Sequence, residues 1–296
     1  MKYTEEQLEK FTKPISETEE QRCENMIKMV KDAIRSYYFI TNNPLLKPDN
    51  YEIFLQGSYA NNTNVKQNSD VDICVVYKNV FRYEMPIGYK LGDGYSDSKV
   101  SYKDVRSSVK NALINKFGIY RVEDKNKAIR ILSNTYTVDA DVVVAFQYRF
   151  YKDDTYYKEG ISYDALDGTR IINYPKIHIE NGIKKNNDTN HMYKKMVRIF
   201  KKIMYDMQDE RVAFNQNAKG FVIECMCYRY PNNKFLHYLD TKYTDNLNNM
   251  IDYFLNSSMS DWLEANEIKQ LFGIGSGRNE SDYRNFLMSM KRYVNG

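Results

Sequence analysis

Two aspartates, Asp70 and Asp72, stand two residues apart at the head of the apolar run VDICVVY. Alternate side chains of a β-strand share a face. Both carboxylates therefore point one way, while Val71 and Ile73 point into a core on the other side. Adjacent carboxylates at the end of a buried strand repel each other, and a divalent cation between them removes that repulsion. Hard oxygen donors of this kind suit Mg²⁺, with Mn²⁺ as a substitute. A second strand pattern, TYTVDADVVVAF, offers Asp139 and Asp141, again on one face. Asp141 is favoured as the third ligand because it directly precedes the run Val142–Val144, as Asp72 precedes Ile73. Upstream, a short apolar run ends at Gln56, Gly57 and Ser58. A Gly-Ser turn that leaves a strand for a helix exposes backbone N–H groups that bind phosphate, and the Ser58 hydroxyl can add one hydrogen bond. Gly-Ser and Asp-x-Asp are each common alone. Together, with a further strand acid about seventy residues later, they describe a nucleotide held by phosphate at the turn and by metal at the acids.

The elements that must position these groups are legible in part. A helix is expected over Glu17–Ile40, with Ser16 as N-cap and Glu19 in the capping-box position, ending at Asn42-Asn43-Pro44. Strands are expected over Tyr51–Leu55, Val71–Tyr77 and Thr135–Phe146, and a loop over Phe81–Ser98. Ser101 with Asp104 starts a helix that Gly118 stops. Residues Tyr120–Ile131 mix charged and apolar positions. Arg170–Ile179 alternates weakly and contains Pro175, so an edge strand is expected there. From about Asn187 the pattern turns helical: His191–Gln208, Lys219–Tyr230, Tyr243–Ser257 and two more helices before the C-terminus. The predicted fold class is α/β (α+β), a mixed sheet with a C-terminal helical bundle and a long N-terminal helix. Residues 1–185 are expected to form the core and residues 186–296 a helical domain that closes the active-site cleft.

Composition narrows the function. The chain has 296 residues, 42% of them hydrophobic, and a net charge of +4, too small to announce a nucleic-acid binder. It has no run of about 18 apolar residues, and its N-terminus MKYTEEQLEK lacks an apolar stretch. A cytoplasmic protein with no membrane partner is expected. Cys225 and Cys227 form a C-x-C inside an apolar segment and read as buried thiols, since no second Cys/His pair stands at ligand spacing. Between Lys184 and Lys202 six lysines and one arginine face a single aspartate, a stripe that suits an anion lying opposite.

Strand, Gly-Ser, Asp-x-Asp and a later strand acid are the signature of the polymerase-beta-like nucleotidyltransferases. LQGSYANNT followed by NSDVDICVVY resembles the bacterial cGAS/DncV-like nucleotidyltransferases, which make cyclic di- or trinucleotide signals in anti-phage defence. IINYPKIHIENGIKKNNDTNHMYKKMVRIFKK and GFVIECMCYRYPNN resemble the CdnE branch in particular. The similarity runs from about Glu17 to about Asn233.

The resemblance implies that Asp70, Asp72 and Asp141 hold two Mg²⁺ ions, one activating a ribose hydroxyl and one binding the triphosphate. It implies NTP substrates held at Gln56, Gly57 and Ser58, a triphosphate contact from Lys201 (with Lys202 and Lys185 as competitors), and a base stacked on Phe221, which could equally be a core residue. Asn173 could read a base edge through its amide. An activating phage-derived nucleic acid or protein, a downstream effector reached through the product, and a monomeric state are also implied. Two departures stand out: Gly220 where relatives often carry a serine, and Val144 where they often carry a proline. Two-metal transfer needs no histidine, so His178, His191 and His237 read as structural or surface residues. The rivals are a linear nucleotide polymerase or oligonucleotide synthase, an antibiotic-modifying nucleotidyltransferase, and an inactive nucleotide sensor. The last would be marked by loss of an acid, and all three acids are present.

Overall fold

The computed structural model describes residues 1–65, 70–92, 94–212, 218–235 and 242–296. In chain order the elements are α1 (Glu5–Phe11), α2 (Glu17–Thr41), β1 (Tyr51–Gln56), α3 (Gly57–Ala60), β2 (Val71–Glu84), α4 (Tyr102–Phe117), β3 (Val122–Asp124), β4 (Ile129–Ile131) and β5 (Ala140–Tyr151). There follow β6 (Tyr157–Asp164), β7 (Arg170–Asn173), α5 (Pro175–Asp188), α6 (Met192–Asp209), α7 (Gly220–Arg229), α8 (Tyr243–Asn256) and α9 (Glu280–Asn295). They divide into two compact units. The sheet unit is Ser16–Tyr59 with Asn68–Lys176; the helical unit is Met1–Ile15, Ala60–Gln67 and Ile177–Gly296. The expected boundary after residue 185 falls inside α5, and the sheet unit already ends at Lys176.

In the sheet unit the strand order is β1-β2-β5-β4-β3, with β6 pairing β5 and β7 pairing β6. The β2–β5 pair is parallel and the others are antiparallel. One sheet face carries Ile73, Val75, Val142 and Val144, which pack against Met26, Val30 and Ile34 of α2 and Val105, Val109 and Leu113 of α4. Each such side chain, fully buried, is worth about 1.5–3 kcal/mol. The other face carries Cys74, Val76, Val143 and Ala145 with Ile161 and Tyr163. Period-2 alternation places Asp72 and Asp141 on this second face, away from α2 and α4.

Local signals explain the helix ends. Ser16 accepts the Glu19 N–H at 3.3 Å, the Glu19 carboxylate accepts the Tyr59 hydroxyl at 2.7 Å, and Asn42 closes α2 in the left-handed conformation. Ser101 accepts the Asp104 N–H at 3.1 Å, and Gly118, at φ 86°, ends α4.

Several expectations are corrected. The region expected as a loop from Phe81 is strand as far as Glu84, because β2 resumes pairing with Gln147–Phe150 after an irregularity beyond Tyr77. The strand expected from Thr135 starts at Ala140. The stretch Arg170–Ile179 is strand only to Asn173, at the edge as expected, and Pro175 opens α5 because its fixed φ suits a helix start. Between α8 and α9 the chain makes only isolated bridges and a short 3-10 turn, so one helix stands where two were expected. Gly273 and Gly277, both at positive φ, break the pattern there.

The helical unit has its own core, built from α1, α6, α7, α8 and α9 around Tyr193, Phe200, Phe254 and Phe286. All four cysteines are free and buried, as expected for Cys225 and Cys227. No helix among the described residues is long and apolar enough to cross a membrane.

Candidate active site

The parallel pairing of β2 with β5 sets Asp72 directly beside Asp141. Asp70 is the residue before β2. Burial, then the charges of Asp141 and Asp70, push the Asp72 carboxyl up to about 7. Burial and Asp70 likewise raise Asp141, and its Oδ1 is buried with no hydrogen-bond partner. Asp139 is in a different situation. Burial alone would raise its pKa, but Arg130, with Nη2 2.8 Å away, and the Ser133 N–H at 2.6 Å hold it below the usual range. The geometry thus separates the two acids of β5: Asp139 is consumed by an ion pair, and Asp141 is left open beside Asp72.

Arg130, which sequence reasoning did not single out, lies opposite Asp141 in the β4–β5 ladder and also reaches Asp70 at 3.2 Å. As the side chains stand, no three Asp, Glu, His or Cys among the described residues converge on a single point for a metal. The donor set nevertheless fits a hard divalent cation. It is all oxygen, half-buried and mutually repelling, and it has one oxygen with nothing to bond.

Gly57 follows β1, whose last residue, Gln56, pairs with Asp72. Its φ is +68°, and a Cβ built there would stand 2.1 Å from Asp72 Oδ2. Glycine is required here on both counts: the carboxylate occupies the space a side chain would take. Ser58, half-buried, is the second residue of α3.

The cationic and aromatic candidates belong to the helical unit. Lys201, on α6, is 4% exposed. Its Nζ donates to Thr63 Oγ1 at 3.0 Å and Glu224 Oε2 at 3.0 Å. Glu224 Oε1 lies 2.8 Å from His178 Nε2, and Thr63 donates to Glu224 Oε2 at 2.6 Å. The competitors are engaged otherwise. Lys185 is buried, donating to the Tyr230 carbonyl and Asn232, and burial lowers its pKa to about 8. Lys202 pairs with Asp206 at 2.9 Å. Lys194, two helical turns before Lys201, is half-buried with no hydrogen-bond or ion-pair partner for its ammonium among the described residues, though the Glu224 charge acts on it. Phe221 is 43% exposed and is not a core residue. The His178 ring lies 5.4 Å from it at 32°, and the Arg278 guanidinium stands 5.3 Å from its centroid. His178 is buried beside Glu224; His191 is the exposed N-cap of α6; His237 lies outside the described residues. Asn173 ends edge strand β7, paired with Ile161.

The model of the nucleotidyltransferase domain matches residues 43–194, and that of the cGAS/DncV-like nucleotidyltransferase C-terminal helical domain matches residues 180–295. The cyclic dipyrimidine nucleotide synthase CdnE of Cecembia lonarensis is 38% identical over 99% of both chains. The cyclic GMP-AMP synthase CdnE03 of Staphylococcus schleiferi is 37% identical over 99% of this chain and 97% of its own. The structure of Rhodothermus marinus CdnE c-UMP-AMP synthase, with Apcpp and Upnpp, superposes with a TM-score of 0.83 at 30% identity, covering 99% of this chain and 97% of that one. Nucleotidyltransferases of this superfamily typically use divalent metals. Two overlapping family models thus cover the paired aspartates and the helices that follow, and the relatives match along nearly their whole length: the chain is a nucleotidyltransferase and belongs to the cGAS/DncV-like family, on its CdnE-like branch.

Proposed function

We propose that this chain joins two NTPs and closes them into a cyclic dinucleotide, releasing one pyrophosphate with each phosphodiester bond. The reading is carried by one observation: Asp72 and Asp141 stand side by side on paired strands, raised in pKa, with an Asp141 oxygen left unpartnered. Asp70, Asp72 and Asp141 hold two Mg²⁺ ions, with Mn²⁺ as a substitute. When bound, the ions acidify the attacking ribose hydroxyl and neutralise the triphosphate. Gly57 brings backbone close to the phosphates, and Ser58 adds a hydroxyl donor. Lys201 and the unpartnered Lys194 supply positive charge to the triphosphate tail. Phe221, partly exposed, stacks on a base. The hydroxyl of one nucleotide attacks the α-phosphorus of the other in line; the linear intermediate turns round and presents its own α-phosphorus to the same acids. The chain works as a cytoplasmic monomer, and its product is a second messenger in anti-phage defence that acts on a downstream effector. The branch resemblance supports that role.

The test supplies the full chain with Mg²⁺ or Mn²⁺ and four α-labelled NTPs, then phosphatase and an exonuclease. A small labelled product resistant to both, formed without primer, is expected. A primer-dependent ladder of growing length would make the chain a linear polymerase instead. Label transferred only when an aminoglycoside is added would make it an antibiotic-modifying enzyme.

A further inference from the structure

Glu224 is a carboxylate removed from solvent at the centre of the helical unit, 3% exposed. Burial by itself would raise its pKa. The Lys201 charge and the hydrogen bonds from His178 and Thr63 instead hold it well below the usual carboxylate range. Each of its three side-chain partners belongs to a different part of the substrate machinery. Lys201 is the candidate triphosphate lysine on α6. His178, on α5, lies against the Phe221 ring. Thr63 lies in the segment that follows the Gly57-Ser58 turn, and it is wholly buried. That segment is held a second time by Arg198, which donates to the Asn62 carbonyl at 2.5 Å and to the Thr12 carbonyl at 2.6 Å.

Lys201 is fixed along its length as well as at its head. A Cβ at Gly220 would stand 3.2 Å from Lys201 Cε and 3.5 Å from Cδ. Glycine at this position therefore makes room for the lysine stem. With two of its three N–H donors committed to Thr63 and Glu224, the ammonium has one left to offer an anion, in a direction the other two bonds set.

We propose that Glu224 is the positioning residue of the nucleotide subsite: through Lys201, His178 and Thr63 it sets the triphosphate lysine, the stacking ring and the segment leaving the phosphate turn as one rigid group. This rests on the reading of Lys201 and Phe221 under Proposed function. A mere structural carboxylate would serve folding alone. A positioning carboxylate makes nucleotide affinity depend on the Thr63 hydroxyl, an atom that itself touches no nucleotide.

Glu224→Gln leaves the Lys201 charge unmatched in a core, so Thr63→Val, isosteric and uncharged, carries the test. The dissociation constants of non-hydrolysable ATP, GTP, CTP and UTP analogues are measured by calorimetry with Mg²⁺ on the full chain, alongside its melting temperature. Thr63→Val is expected to weaken the analogues that wild type binds by about tenfold, Thr63→Ser to restore them to within about twofold, and Thr63→Val with Lys201→Ala to be no weaker than Lys201→Ala alone. Normal affinity in a well-folded Thr63→Val, with Lys201→Ala weakened, overturns the positioning role alone. Additive losses in the double variant overturn it too. Normal affinity in Lys201→Ala takes that lysine from the substrate and the proposal with it. A wild-type chain that binds none of the four analogues overturns the function itself.

Discussion

The sheet unit and the helical unit each bury acids, and they do it in opposite ways. In the sheet unit Asp72 and Asp141 stand side by side with only Asp70 of the three ion-paired, to Arg130; the pKa of Asp72 is pushed up to about 7, and an Asp141 oxygen has no partner. In the helical unit Glu224 is more deeply buried, yet every side-chain oxygen is satisfied and its pKa is pushed down. Burial of charge is therefore not the mark of a reactive site. The mark is burial without compensation. The folded chain tolerates repulsion where a ligand cation is to come, and it supplies its own counter-charge where the carboxylate only has to hold other groups in place.

The comparison breaks first at the sheet unit. Asp72→Asn or Asp141→Asn should lower pyrophosphate release by about a hundred- to a thousandfold, the scale on which removing a transition-state contact acts, while leaving the metal-free melting temperature unchanged or higher, since a repulsion has been removed. A healthy Asp141→Asn with a dead Asp139→Asn would invert the assignment on β5. The mirror experiment is Glu224→Gln. Removing one partner of a compensated buried pair costs about 3–5 kcal/mol, so this variant should melt far below wild type. The sign with pH follows from the lowered pKa. The stabilisation from Glu224 is present above its ordinary value of 4.5 and is lost as pH falls below that toward the folded value. Lys201, Thr63 and His178 bond to it, and the Lys194 charge acts on it from the same helix as Lys201. Acid unfolding of Glu224→Gln should therefore be less steep than that of wild type; equal slopes would put the acid sensitivity elsewhere.

Smaller effects sharpen the contrast. Gly57→Val should be worse for pyrophosphate release than Ser58→Ala, because its Cβ would collide with Asp72 Oδ2, whereas Ser58→Ala removes one hydrogen bond, about 0.5–1.5 kcal/mol. Phe221→Ala should raise the KM for nucleotide about tenfold, within the roughly 1–3 kcal/mol of base stacking, at unchanged melting temperature because the ring is exposed. Asn173→Ser should alter only which bases enter the product, read by product composition with all four NTPs; unaltered base usage removes Asn173 from the site.

What the sequence showed was local. The N-caps Ser16 and Ser101, the stop at Gly118 and the period-2 faces of Asp72 and Asp141 are all written in neighbouring residues. Gly57 was legible as a turn, though its contact with Asp72 was not. The compensated network was invisible because Thr63 and Glu224 are 161 positions apart, and no spacing rule spans that distance. Arg130 stayed hidden for a related reason: its partners become partners only when β4 pairs with β5. Strand β6, YKEGISYD, carries too weak an alternation to be read, and it owes its place to the second half of β5.

The division of the chain has a consequence for how it is made. Residues 16–59 and 68–176 complete the sheet unit, so all of its residues are made before synthesis passes Lys176. The helical unit is not complete by then. It takes its first segment from Met1–Ile15, its second from Ala60–Gln67 and the rest from beyond Ile177, and the Lys2 N–H is bonded to the carbonyl of Val294. Its early segments must wait, unpaired, until α9 has been synthesised. During that interval Leu8 and Phe11 of α1 have no core to enter. Translation that stalls between α5 and α9 leaves a finished sheet attached to a helical unit that has not yet formed.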